Sequence, residues 1–222
     1  MLLVPTRAAP EDVLCGAEGL ERLAPGARVG TSSIRRLAQL RAAREDLEVV
    51  PVRGNVDTRL RKLGEAEEGL GAIVLARAGL QRLGLEGEVG SVLDPQSFVP
   101  APGQGTLALQ GRDDDERARA AVLAITDSDT FACLLAERTL ARTLGADCHT
   151  PLGAHASPTG DGDMLLRAWV GLPDGSAWAV DERLGDLDAP AELAEEVAER
   201  LAAAGARELL ARAEEMAGVG SH

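Results

Sequence analysis

Six arginines stand where an acidic chain has least general use for them. The sequence of 222 residues has a formal net charge of -13. Arg35 and Arg36 nevertheless follow directly on a Gly30-Thr-Ser-Ser turn. Arg53 and Arg59 bracket the run Arg53-Gly-Asn-Val-Asp-Thr-Arg59, and Arg77 and Arg82 follow the apolar run that ends at Ala76. A guanidinium offers a planar fork of donors that matches carboxylate and phosphate. Two arginines in the first turn of a helix oppose its dipole, at about 0.3–1 kcal/mol each. A bound anion would reverse that penalty, because free amides, hydroxyls and guanidinium groups would converge on it. The pattern therefore points to a small ligand carrying several negative charges. It is no phosphate loop, since the Gly-x-x-x-x-Gly-Lys pattern is absent.

A second candidate is Cys148, in Leu144-Gly-Ala-Asp-Cys-His-Thr-Pro-Leu-Gly-Ala-His155. It is expected in a loop, where a thiol can be reached and a thiolate can act as nucleophile. Cys133 lies in a helical stretch beside Phe131 and Leu134 and is expected to pack. Cys133, Cys148, His149 and His155 lack the spacing of a structural zinc site, so no metal is expected.

These side chains need a scaffold, and the apolar pattern supplies one. Strands are expected at 27–30, 47–52 and 72–76, with helices at 33–44, 56–68 and from 78. That alternation is the signature of a parallel α/β layer. In such a layer ligands bind beyond the carboxyl ends of the strands, which is where Gly30, Arg53 and Arg77 stand. A strand is expected at 106–110 and helices at 116–124 and 130–144. Short strands follow at 153–157, 164–170 and 177–182, with a hairpin turn at Pro173-Asp-Gly175. Helices at 190–203 and 206–216 and a frayed tail from 218 complete the pattern. The negative charge argues against a nucleic-acid partner or an anionic membrane surface. No apolar run approaches the roughly 20 residues of a membrane span. Three cysteines in the whole chain suit a reducing compartment, so a cytoplasmic location is expected.

Five motifs occur in order: Gly30-Thr-Ser-Ser-Ile-Arg-Arg36, Arg53-Gly-Asn-Val-Asp-Thr-Arg59, Ala78-Gly-Leu-Gln-Arg-Leu-Gly84, Pro100-Ala-Pro-Gly-Gln-Gly105 and Cys148-His-Thr-Pro-Leu-Gly-Ala154. As a set they resemble the porphobilinogen deaminase (hydroxymethylbilane synthase) family over nearly the whole chain. The resemblance implies a transferase of tetrapyrrole (heme and porphyrin) biosynthesis. It would condense porphobilinogen into hydroxymethylbilane, releasing ammonia, on a dipyrromethane primer held by a cysteine thioether. It implies Cys148 as the attachment point and Thr31, Ser33, Arg35, Arg36 and Arg59 as ligands of the primer's acetates and propionates. Arg53, Arg82 and Gln104 would serve the incoming substrate and the growing chain. A monomer is expected, with porphobilinogen as the small-molecule partner.

The resemblance also implies periplasmic-binding-protein-like parallel α/β domains, the first incomplete, followed by a small α+β C-terminal domain. The expected division is a remnant of the first domain at 1–24, a second α/β domain at 25–95, a returning segment at 96–126 and the C-terminal domain at 127–222. The family's catalytic Asp, in a His-Ser-x-Lys-Asp type motif, has no counterpart here and is expected upstream of Met1. Asp57, Asp94 and Asp147 stand in no such motif. Asp147 is also expected to raise the pKa of the neighbouring thiol. An alternative reading is a non-catalytic α/β module that binds small carboxylates.

Overall fold

The computed structural model describes residues 2–112, 114–147 and 149–219. Cys148 and residues 220–222, in the expected tail, lie outside the described residues. In chain order the strands are β1 (Leu2–Leu3), β2 (Asp12–Cys15), β3 (Arg28–Gly30), β4 (Glu48–Val50), β5 (Leu70–Ala76), β6 (Ser91–Val92), β7 (Leu109–Gln110), β8 (Leu152–Gly160), β9 (Asp163–Gly171) and β10 (Trp178–Asp186). The helices are α1 (Ile34–Ala43), α2 (Val56–Leu63), α3 (Arg77–Leu83), α4 (Glu116–Leu123), α5 (Ser128–Thr143), α6 (Pro190–Ala203) and α7 (Ala206–Val219).

Strands β4, β3 and β5 run parallel, as the βαβ alternation requires. The sheet does not stop there. Its order is β4-β3-β5-β2-β6, and β2 runs antiparallel to both neighbours. The layer is thus mixed, and a strand that periodicity did not indicate lies near its centre. Strands β2 and β5 are buried on both faces, so their residues divide by parity. Leu14, Ala72 and Val74 pack on one side with Val29, Leu40 and Phe98. Val13, Cys15, Ile73 and Leu75 pack on the other with Leu80.

Strand β2, which precedes the expected boundary after residue 24, pairs with β5 in the sheet of β3 to β5. The segment from 96 likewise begins inside this unit, because Phe98 joins its core and Val99 packs on Ala38 of α1. The strand expected over 106–110 shrinks to β7, which pairs with β1. A turn closed by Thr106 N–H on the Gly103 carbonyl (3.0 Å) takes up the preceding residues. Helix α2 ends five residues earlier than expected, since Gly64 caps it and a turn follows.

The C-terminal unit is a three-stranded antiparallel sheet, β10-β9-β8, with α5 and α6 over one face. Ala154, Ala156, Met164, Leu166, Ala168 and Val170 point into the resulting core with Leu140, Val197 and Leu201. The hairpin turn at Pro173-Asp-Gly175 forms, and Gly175 takes the left-handed φ of 75°. Helix α1 touches both units: Ala38 packs with Trp169 of β9, and Arg41 donates to the Pro173 carbonyl at 3.3 Å.

Candidate functional site

Ser33 starts α1, and its hydroxyl accepts the Arg36 N–H at 3.4 Å, which is an ordinary N-cap. Thr31 is buried; its N–H reaches the Val50 carbonyl at 2.9 Å and its hydroxyl accepts from Ser33 N–H at 3.2 Å. This turn aims the first two arginines of α1 inward. Arg35 and Arg36 are only 4% and 8% exposed.

Their shared partner is Asp12 of β2, which is completely buried. Arg36 donates through Nε at 2.9 Å and Nη2 at 2.7 Å to Asp12 Oδ1. Arg35 Nη2 lies 2.8 Å from Asp12 Oδ2. Each guanidinium also finds a backbone carbonyl, Val99 for Arg35 (2.7 Å) and Val74 for Arg36 (3.2 Å). Phe98 lies under Arg35 with its ring centre 5.9 Å from the guanidinium carbon. Burial lowers the Arg35 pKa, and Asp12 opposes that effect. Arg35 Nε is buried with no acceptor among the described residues.

Gln104 completes the cluster. Its amide nitrogen donates to Asp12 Oδ1 at 3.0 Å and to the Pro10 carbonyl at 2.6 Å. Its amide oxygen accepts from Arg35 Nη2 at 3.3 Å. The side chain expected to meet substrate is thus engaged by the protein itself. Arg82 donates to the Gly105 carbonyl at 2.9 Å, on the far side of the same loop. Arg59, in α2, donates to the Gly54 carbonyl at 2.9 Å. Burial, then the charge of Arg36, lowers its pKa. Arg53 is exposed and makes no hydrogen bond among the described residues. Thr31, Ser33, Arg35, Arg36 and Gln104 are therefore drawn together, Arg59 and Arg82 flank them, and Arg53 is exposed outside the cluster.

A cavity of about 340 Å³ opens beside Arg35 and is lined by Ser33, Pro102, Ala146, Asp147 and Thr150, among others. That size lies at the lower end of ligand pockets, roughly 300–1,000 Å³. Asp147 and Thr150, which flank Cys148 in sequence, thus form part of one wall. Asp147 accepts from His149 N–H at 2.8 Å and Thr150 hydroxyl at 2.9 Å. These bonds hold its carboxyl below the usual range. Cys133 and Cys15 are buried, and burial pushes their thiols up to about 12 and about 11.

Two groups that sequence reasoning passed over join this site to the C-terminal unit. Glu137 of α5 is fully buried and receives Arg7 Nη1 at 2.6 Å, Gly103 N–H at 2.5 Å and Ala156 N–H at 2.8 Å. Arg7 Nε in turn donates to the Gln104 carbonyl at 2.8 Å. The signal for Asp12 was indirect: two inward arginines need a counter-charge, and the sequence does not say which of 36 acidic residues supplies it.

The comparisons with known proteins identify a family. A family model described as porphobilinogen deaminase, dipyromethane cofactor binding domain, matches residues 1–120. A second, described as porphobilinogen deaminase, C-terminal domain, matches residues 131–203. Porphobilinogen deaminase of Corynebacterium efficiens is 45% identical over 213 residues, covering 94% of this chain and 71% of the relative. The protein of that name from Thiobacillus denitrificans is 47% identical over 191 residues, covering 86% of this chain and 61% of the relative. That from Thermus thermophilus is 44% identical over 211 residues, covering 94% and 69%. Both family models and these relatives lead to one conclusion: the chain belongs to the porphobilinogen deaminase family.

Proposed function

We propose that this chain binds porphobilinogen and carries a dipyrromethane primer on Cys148, serving the condensation of porphobilinogen into hydroxymethylbilane with release of ammonia. The observation that carries this reading is the cavity between Arg35 and the loop around Cys148. One wall offers a cationic carboxylate receptor and the other brings the residues flanking a thiol. Arg35 is nearly buried yet has a free Nε donor, so the donor set fits a ligand rich in acetate and propionate groups. When bound, the primer supplies the carbon nucleophile of the condensation.

The roles of the chain's own residues follow from their positions. Arg35 and Arg36 neutralise and orient carboxylates, Ser33 and Thr31 fix the turn that presents them, and Arg59 extends the positive field. Arg53 and Arg82, both outside the buried cluster, serve the incoming substrate. Fixing the rings in this way converts a bimolecular encounter into an oriented one. Cationic pyrrole nitrogens would call for a carboxylate, and Asp12 is already held by two guanidinium groups. The alternative of a carboxylate-binding module outside the family has no support from the comparisons. Among the described residues no helix is long and apolar enough to cross a membrane. A single cytoplasmic copy is part of the proposal, supported by the strong net charge, which favours solubility.

The test is direct. After incubation with porphobilinogen, intact mass should reveal a dipyrromethane adduct that is absent from Cys148→Ser. An adduct that survives the substitution would refute the assignment. Tetrapyrrole formation measured on the same samples reports whether the chain completes the reaction.

A further inference from the structure

We propose that Asp12 is a positioning residue for carboxylate recognition: it clamps Arg35 and Arg36 in register and leaves the buried cluster one negative charge short of neutrality, a charge that a ligand carboxylate supplies. The inference rests on the proposed binding of porphobilinogen. It extends that reading to a residue outside every motif used to reach it.

Charge and geometry carry the argument. Two guanidinium groups, both nearly buried, share one carboxylate. Both Arg36 contacts fall on Oδ1, while Arg35 Nη2 lies 2.8 Å from Oδ2 as an ion pair without hydrogen-bond alignment, so one carboxylate holds both guanidinium groups in place. Gln104 braces Oδ1 from the opposite segment, which leaves Asp12 little freedom to rotate. The remaining donors of Arg35 go to Val99 and Gln104, except for Nε. Burying an uncompensated cation is costly unless an anion is supplied. The other charged neighbours do not supply it. Arg59 adds another positive charge close enough to influence its own titration through Arg36. The carboxylate of Asp147 lies across the cavity and is tied to its own loop. A cluster of this kind is pre-organised, with its arginines held before the ligand arrives, so binding need not pay for ordering them.

The proposal makes a prediction that runs against simple charge counting. Removing a negative charge beside an anion site should tighten anion binding if only charge matters. If Asp12 positions the arginines, Asp12→Asn should weaken porphobilinogen binding by about tenfold or more, because the forks lose their register. Titration calorimetry of the full chain with porphobilinogen measures this. Asp12→Glu retains the charge but moves the carboxylate by one methylene, and serves if Asp12→Asn does not fold. It too should bind more weakly, and the assigned Nε–H resonances of Arg35 and Arg36 should shift in the unliganded protein. Wild-type affinity or tighter binding in either folded variant would overturn the clamp. If the wild-type chain itself fails to bind porphobilinogen, the functional reading fails. The Nε–H resonances then decide the clamp alone: it stands if they move in Asp12→Glu and falls if they do not.

Discussion

At the scale of single residues, lysine at position 36 would separate charge from geometry. Arg36→Lys keeps a cation beside Asp12 but cannot reproduce the Nε and Nη2 pair on Oδ1 together with the bond to Val74. We expect a loss of about 1–3 kcal/mol, read as a lower urea midpoint with an unchanged slope. The thiols provide a second residue-level expectation. Alkylation proceeds through the thiolate, and burial keeps Cys15 and Cys133 protonated up to about 11 and about 12. Iodoacetamide at pH 8 should therefore leave both unmodified in the native protein and label both in urea, as peptide mass mapping would show. Native labelling of Cys133 would mean that α5 opens more readily than its packing allows. The arginines themselves were legible from type and spacing. Their depth was not, because an Arg in an acidic chain has many conceivable partners. Asp12 lies 24 residues before Arg36 in an unremarked stretch.

At the scale of elements, local pattern served where apolar runs are long and failed where they are short. β5 reads as a buried strand because seven consecutive residues contain six apolar side chains flanking one small glycine. β2 has only Asp-Val-Leu-Cys, and an Asp at its head looks like a turn residue. Its place in the sheet depends on partners at 73–76 and 91–92, which no local window contains. The Pro-Gly-Gln-Gly segment reads correctly as a turn, but the pattern did not reveal how tightly it is held. Gly105 has φ of 85°, and a Cβ there would come within 2.6 Å of the Ala8 carbonyl oxygen. Gly105→Ala combines backbone strain with a backbone clash. We expect about 1–3 kcal/mol of destabilisation and a Tm several degrees lower. Because Arg82 donates to that same carbonyl group of residue 105, porphobilinogen affinity should fall with it. A variant as stable as wild type in a thermal scan would show that the loop can reshape at little cost.

At the scale of the whole molecule, Glu137 is the anchor between the sheet that holds the arginines and the unit that carries Cys148. Burial acts to raise its pKa, but nearby His155, the charge and hydrogen bonds of Arg7 and the Ala156 amide outweigh that, and the net shift is downward. A carboxyl depressed in the folded state stabilises the fold above its unfolded pKa, near 4.3. That contribution is lost as pH falls through the lower folded value. Glu137→Gln should cost about 3–5 kcal/mol at neutral pH, the range for breaking a buried pair. It should also flatten the loss of stability below about pH 4, which urea titrations at successive pH values would resolve. Parallel curves for the two proteins would remove Glu137 from the acid response. The same anchor bears on how the chain is made. Arg7 leaves the ribosome 130 residues ahead of Glu137, and Asp12 well ahead of β5. At about 5–20 residues per second, Arg7 waits roughly 6–26 s for its partner. The segment around Arg7 is thus secured long after it is made, and until β5 emerges the nascent chain holds β2 as an unpaired strand that a chaperone, or another chain, could reach first.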